Sequence, residues 1–178
     1  MITLNDHMAY FDALAVFDSL DPVDADTMIG DWRGGEVRTG HPLEGLLTVS
    51  NWDGKSFQDS ETVFPLVFKD LKGNRFAGSP SRMPMRLMMK LSLPEEGWIT
   101  KLFLFCKPIF VTKKPGARLR MTEFRGKTSA TMIYDTKPIC DVFRRMDDNR
   151  VMGCMDLRDD AKAEDDENRY YFFWLERL

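Results

Sequence analysis

Gly30-Asp31-Trp32-Arg33-Gly34 decides how this chain of 178 residues is read. The indole is large enough to fill a layer of core, and a glycine two residues away on each side lets neighbouring backbone come close to it. A strand starting at Gly30 carries the ring. Before it, Asn5 or Asp6 caps a helix in which Tyr10, Ala13, Leu14 and Phe17 recur at helical spacing until Asp21-Pro22 ends it. Asp24 to Ile29 supplies one further short turn.

Beyond the pentapeptide, residues 34–54 are rich in glycine and turn formers, with a brief helix over Pro42 to Leu47. Val63–Lys69 and Arg75–Gly78 flank Asp70-Leu-Lys-Gly-Asn74 as a hairpin with a longer loop. Ser81 to Leu91 places Met85, Met88 and Met89 on one helical face, and Trp98, Ile99, Leu102 and Phe105 repeat that spacing. Residues 80–116 therefore read as an inserted helical pair, split by Pro94 and Gly97.

From Ala117 the period changes to two. Arg118 and Arg120 alternate with Leu119 and Met121, which marks a strand with one wet and one dry face. Thr128–Asp135, Ile139–Met146, Arg150–Asp156 and Arg169–Arg177 follow as a meander, with turns at Arg125-Gly126, Lys137-Pro138 and Asp148-Asn149. Arg158 to Asn168, acidic and small, is a solvated loop. Strands at this density predict a mainly β, α+β chain: an antiparallel barrel or half-barrel with an N-terminal helix and the inserted pair. It is read as one domain in three parts, 1–79, 80–116 and 117–178.

Hydrophobic residues make up 43% and charged residues 30%, usage that excludes disorder of the whole chain. A net charge of −3 argues against nucleic acid as a partner. Cys106, Cys140 and Cys154 are odd in number and lack CxxC spacing, which predicts buried reduced thiols rather than a disulfide framework or a zinc site. No basic region followed by an apolar run opens the chain, which points to the cytoplasm. Trp98 to Val111, broken by Lys101, Lys107 and Pro108, falls short of the roughly 18–20 apolar residues of a membrane span.

Gly30 to Leu47, with Trp32, Gly34, Gly40-His41-Pro42 and Leu43 to Leu47, resembles the bacterial GXWXG-domain family. Arg118-Leu-Arg-Met-Thr-Glu-Phe-Arg-Gly126, then Met132-Ile-Tyr-Asp135, Pro138-Ile139, Asp141 and Phe143-Arg-Arg145, resembles the domain of unknown function that usually accompanies it. The pentapeptide is also similar to the Gly-x-Trp signature of lipocalins and the Gly-x-Trp-x-Gly of nitrobindins, which are small antiparallel barrels. That resemblance implies that Trp32 closes one end of a barrel and that Arg177, on the last strand, stacks on it. Nitrobindins bind haem through histidine. The histidines here are His7 and His41, and neither lies on the late strands where the resemblance would place an axial ligand. No cofactor is predicted, and haem stands only as a second alternative.

The candidate ligand-binding residues are Trp32, Arg33, His41, Trp52, Tyr134, Asp141 and Arg144. Alternation puts Asp141 on the face of Ile139 and Phe143. On an interior face its charge needs a partner or a raised pKa, and Tyr134, Asp135 and Arg144 are the neighbours that would supply the partner. His41, in a Gly-His-Pro turn, reads as a general base or as a loop holder, and Trp52 as lining a barrel mouth or folding onto the core. Glu95-Glu96, Asp147-Asp148 and Asp165-Asp166 lack metal-ligand spacing, so no metal site is predicted.

No Gly-x-Ser-x-Gly, phosphate-cradling glycine loop or His-Glu-x-x-His is present, and no catalytic set is assigned. The leading reading is a binding module that holds a small apolar or amphipathic molecule. The alternative is a cofactor-free enzyme performing proton transfer or decarboxylation on a small carbonyl or aromatic acid. It would use Asp141, Tyr134 or His41, or, by likeness to decarboxylating lipocalin-like barrels, Tyr134 with Arg120 and Glu123. A third reading is an interaction protein that forms a homodimer through Trp98 to Val111.

Overall fold

Helix α1 (Tyr10–Ser19) buries Tyr10, Ala13, Leu14 and Phe17, the residues whose spacing predicts it. A computed structural model describes residues 7–83, 97–158 and 166–178. Asn5, Asp6 and the expected Met85, Met88 and Met89 face lie outside them. The N-cap of α1 is Ala9, which makes no side-chain cap. Strand β1 (Asp21–Pro22) and the single turn α2 (Ala25–Met28) lead into β2 (Gly30–Glu36). Then come α3 (Leu46–Val49), β3 (Trp52–Phe57), β4 (Val63–Lys69), β5 (Arg75–Ala77), α4 (Gly97–Phe105) and α5 (Lys107–Phe110). The chain ends in β6 (Ala117–Phe124), β7 (Lys127–Tyr134), β8 (Ile139–Arg145), β9 (Arg150–Leu157) and β10 (Tyr171–Arg177).

Around the sheet the order is β8, β7, β6, β4, β3, β2, β10, β9 and back to β8, antiparallel throughout. The open half-barrel is thereby set aside: these strands close into a lipocalin-like barrel. Strand β1 lies beside the end of β8, and β5 beside the end of β4. The seams differ in length. Strands β2 and β10 pair from Trp32↔Arg177 to Glu36↔Phe173, whereas β4 and β6 meet at Val63↔Ala117, because the rest of β4 turns to β5.

Inside the barrel, Phe143, Val151, Met155, Tyr171, Phe173 and Leu175 belong to the main core. On the outside, Val142, Met152, Cys154, Tyr170 and Phe172 pack under α1. Both faces of β8, β9 and β10 are thus dry, which is why Tyr170-Tyr-Phe-Phe173 is a continuous apolar run rather than an alternation. On β6 the expected alternation holds for Leu119, which is buried, but Met121 is 42% exposed.

Four local expectations are corrected. Residues 52–54, read as the end of a stretch of glycine and turn formers, open a strand that runs to Phe57. The brief helix sits at Leu46–Val49 instead of 42–47, since Gly45 takes φ 79° and starts it there. In α4 Trp98, Leu102 and Phe105 point outward while Ile99 and Leu104 are buried, so the expected stripe of Trp98, Ile99, Leu102 and Phe105 is split between two faces. Cys154 is buried, but Cys106 and Cys140 are half-buried. Among the described residues no helix is long and apolar enough to cross a membrane.

Candidate functional site

The interior holds a chamber of about 50 Å³ walled by Leu43, Leu46, Leu47, Trp52, Leu66, Tyr134, Met155, Tyr171 and Phe173. Into this apolar lining project two charged side chains, Lys55 and Asp141. Their ion pair is 2.8 Å long, Nζ to Oδ2, and their side chains are 3% and 2% exposed. Lys55 Nζ also donates to the Pro65 carbonyl at 3.2 Å. It stands over three rings, 4.9 Å from Phe173, 5.5 Å from Trp52 and 5.8 Å from Tyr134.

Local backbone chemistry explains how a lysine comes to be inside. Strict alternation cannot send both Trp52 and Lys55 inward, since they are three apart. The β3–β4 register shifts between Trp52 and Gly54 and again between Gly54 and Ser56, so two bulges re-aim the side chains. Gly54 allows the first. At φ 137° it adopts backbone that side-chain-bearing residues avoid, and a Cβ there would come within 2.1 Å of the Trp32 carbonyl oxygen. Gly34 supplies room of another kind, because a Cβ on it would lie 2.5 Å from the Trp52 ring.

Asp141 is held in an unusual state. Burial pushes its carboxyl above the usual carboxylate value, and the charge and hydrogen bond of Lys55 draw it only part of the way back. Its second oxygen, Oδ1, is buried without a hydrogen-bond partner. Burial, then the Asp141 charge, hold Tyr134 well above the ordinary phenol value, so its hydroxyl stays protonated and able to donate. Tyr171 is raised in the same way, first by burial and then by Glu36.

The loop carrying the three leucines is pinned from beneath. Glu36 accepts hydrogen bonds from the amides of Gly45 at 2.9 Å and Leu47 at 2.8 Å. Glu44 accepts from those of Thr39, Gly40 and His41. Leu46 and Leu47 are half-buried whereas Lys55 and Asp141 are almost wholly enclosed, so the leucines form the outer part of the chamber and the charged pair its depth.

Of the residues singled out from sequence, the chamber gathers Trp52, Tyr134 and Asp141. Trp32 is fully buried elsewhere: its Nε1 donates to the Met28 carbonyl at 2.8 Å, and Arg177 lies 4.4 Å over its ring. Arg177 itself donates to the carbonyls of Ile29 and Thr27, locking the end of the barrel. Arg33 is on the surface, paired with Glu176. His41 is buried in its loop, where Nδ1 accepts from the Leu43 amide at 3.1 Å and the ring lies 5.3 Å from Tyr171.

Arg144 is not the partner of Asp141. Three residues on along β8, it faces α1, 5.1 Å over the Phe17 ring, and donates to the Phe124 carbonyl at 2.8 Å. Asp135 is exposed and does not serve either. Arg120 pairs with Glu61 and Glu123 is exposed, so the Tyr134, Arg120 and Glu123 grouping is dispersed. His7 is exposed.

Lys55 is the residue that sequence reading missed. It falls just past the turn-rich stretch 34–54, in residues given no element, so its place on a strand beside Phe57 went unread. Among the described residues no group of three or more His, Cys, Asp or Glu is placed to hold a metal ion.

Two family models match the chain, the GXWXG protein over residues 15–73 and the domain of unknown function DUF4334 over residues 115–177. No curated protein matches it. A crystal structure of a protein from Thermomonospora curvata is similar at 31% sequence identity, with a TM-score of 0.69 over 97% of this chain and 90% of that one. The pentapeptide that anchors β2 and the strands that complete the barrel are thus the marks of one family, and the chain belongs to the GXWXG proteins that carry a DUF4334 domain.

Proposed function

We propose that the barrel binds a small, mainly apolar molecule in the chamber beside Lys55 and Asp141. The observation that carries this reading is a completely buried ion pair in an otherwise apolar lining, with one carboxylate oxygen unpaired. A buried pair stabilises a fold poorly, because desolvating both ions offsets most of their attraction. A few convergent polar groups in an apolar concavity are what small-molecule sites present. Native mass spectrometry of freshly purified protein tests the reading through any retained molecule, followed by titration of fatty acids, primary fatty amides and aromatics while tryptophan emission is monitored. Absence of a retained molecule together with failure of every titrant sinks it.

A second reading, proton transfer on a small carbonyl or aromatic acid, is favoured by the raised carboxyl of Asp141 beside the protonated Tyr134. Asp141 would exchange the proton while Lys55 and Tyr134 hold the developing oxyanion. Its test is Asp141→Asn: retained fold with lost turnover supports it, and unchanged turnover removes it.

A further inference from the structure

Resting on the reading of the chamber as a ligand site, we infer that its occupant carries a neutral head group that donates and accepts hydrogen bonds side by side, as a primary amide does. Asp141 Oδ1 is a buried acceptor lacking a donor. Lys55 has three N–H groups, of which Asp141 and Pro65 take two. Side by side, the pair leaves one acceptor and one donor without a hydrogen-bond partner.

Charge selects against ionised alternatives. A carboxylate ligand would place a second negative charge against Asp141, and an ammonium a second positive charge against Lys55, both in surroundings that screen poorly. A neutral group leaves the pair's balance intact. Size agrees in direction: a chamber of about 50 Å³ favours a compact head group over a bulky one. The apolar remainder of the molecule then meets Leu43, Leu46 and Leu47. Tyr134, kept protonated, adds a further donor to the lining.

The test uses three probes of one shape, butyramide, 2-pentanone and butyrate, with linear butylamine as the cation, titrated at pH 7 by calorimetry. Butyramide is expected to bind about ten-fold or more tighter than the ketone, which accepts without donating, and than either ion. In Asp141→Asn, Lys55 takes the amide oxygen of the new side chain and its NH2 faces the chamber, so the ketone gains on butyramide. In the double variant Lys55→Met with Asp141→Leu the preference disappears while apolar binding persists. Equal binding of all four probes by the natural chain, or a preference for butyrate or butylamine, overturns the head-group assignment and leaves the ligand site standing. Binding of none overturns the ligand site and the assignment with it.

Discussion

Pro65 gives its carbonyl to Lys55 Nζ at 3.2 Å, from a point where β4 falls out of step with β3. Between Gly54↔Val67 and Ser56↔Phe64, β3 advances two residues while β4 advances three. The extra residue frees a carbonyl from the ladder, and the proline has no N–H to leave unpaired there. One bulge thus aims the lysine inward and the other supplies its second acceptor.

Removing one member of the buried pair strands the other. Lys55→Met is expected to cost about 3–5 kcal/mol, the usual penalty for an uncompensated buried charge. Adding Asp141→Leu to it is expected to restore most of that loss. Denaturant midpoints of the two variants check this, and a double variant no more stable than the single one contradicts it.

The pair also leaves a signature in pH. Folding raises the Asp141 carboxyl above its ordinary value of 3.8, so the folded state holds that proton more tightly than the unfolded chain. The contribution to stability is complete below the ordinary value and is lost as pH climbs through the raised one. The stability of the natural chain minus that of Asp141→Asn is therefore expected to fall as pH rises from about 4. Urea midpoints across the acid range measure it, and a flat difference disproves the shift.

Trp32 is expected to be structural. Trp32→Ala removes a fully buried indole and should cost about 3–5 kcal/mol in the absence of any ligand. A loss below about 1 kcal/mol, near the range of surface substitutions, would remove the plug assignment.

Gly34→Ala couples the pentapeptide to the chamber. The added methyl would lie 2.5 Å from the Trp52 ring and 2.9 Å from Leu175, so one of them must shift. The expected cost is about 1–3 kcal/mol, with altered tryptophan emission as the Trp52 ring moves. Unchanged stability and emission would show that the ring has room to spare.

How much of this was readable follows from what each part depends on. Local periodicity suffices for α1 and for the late meander, so Tyr10, Leu14 and Phe17 and the strands from Ala117 onward were legible. Asp141 was legible as an interior carboxylate because β8 pairs without a break in register, which keeps it on the face of Ile139 and Phe143. Its partner was not, since Lys55 lies across the barrel and turns inward only through bulges that no residue pattern announces. Arg144 misled because α1 covers the outside of these strands, so a buried position there need not face the chamber.

Strands β2 to β5 come from one family-model region with its immediate continuation, and β6 to β10 from the other. They meet at two joints, a long one at β2 and β10 and a short one at β4 and β6. Either portion alone is an open sheet with two bare rims of N–H and C=O groups, the form of β structure that recruits foreign strands. Ring closure therefore acts as mutual chaperoning: each portion masks the adhesive borders of the other, and the single-bridge joint is where that protection is thinnest.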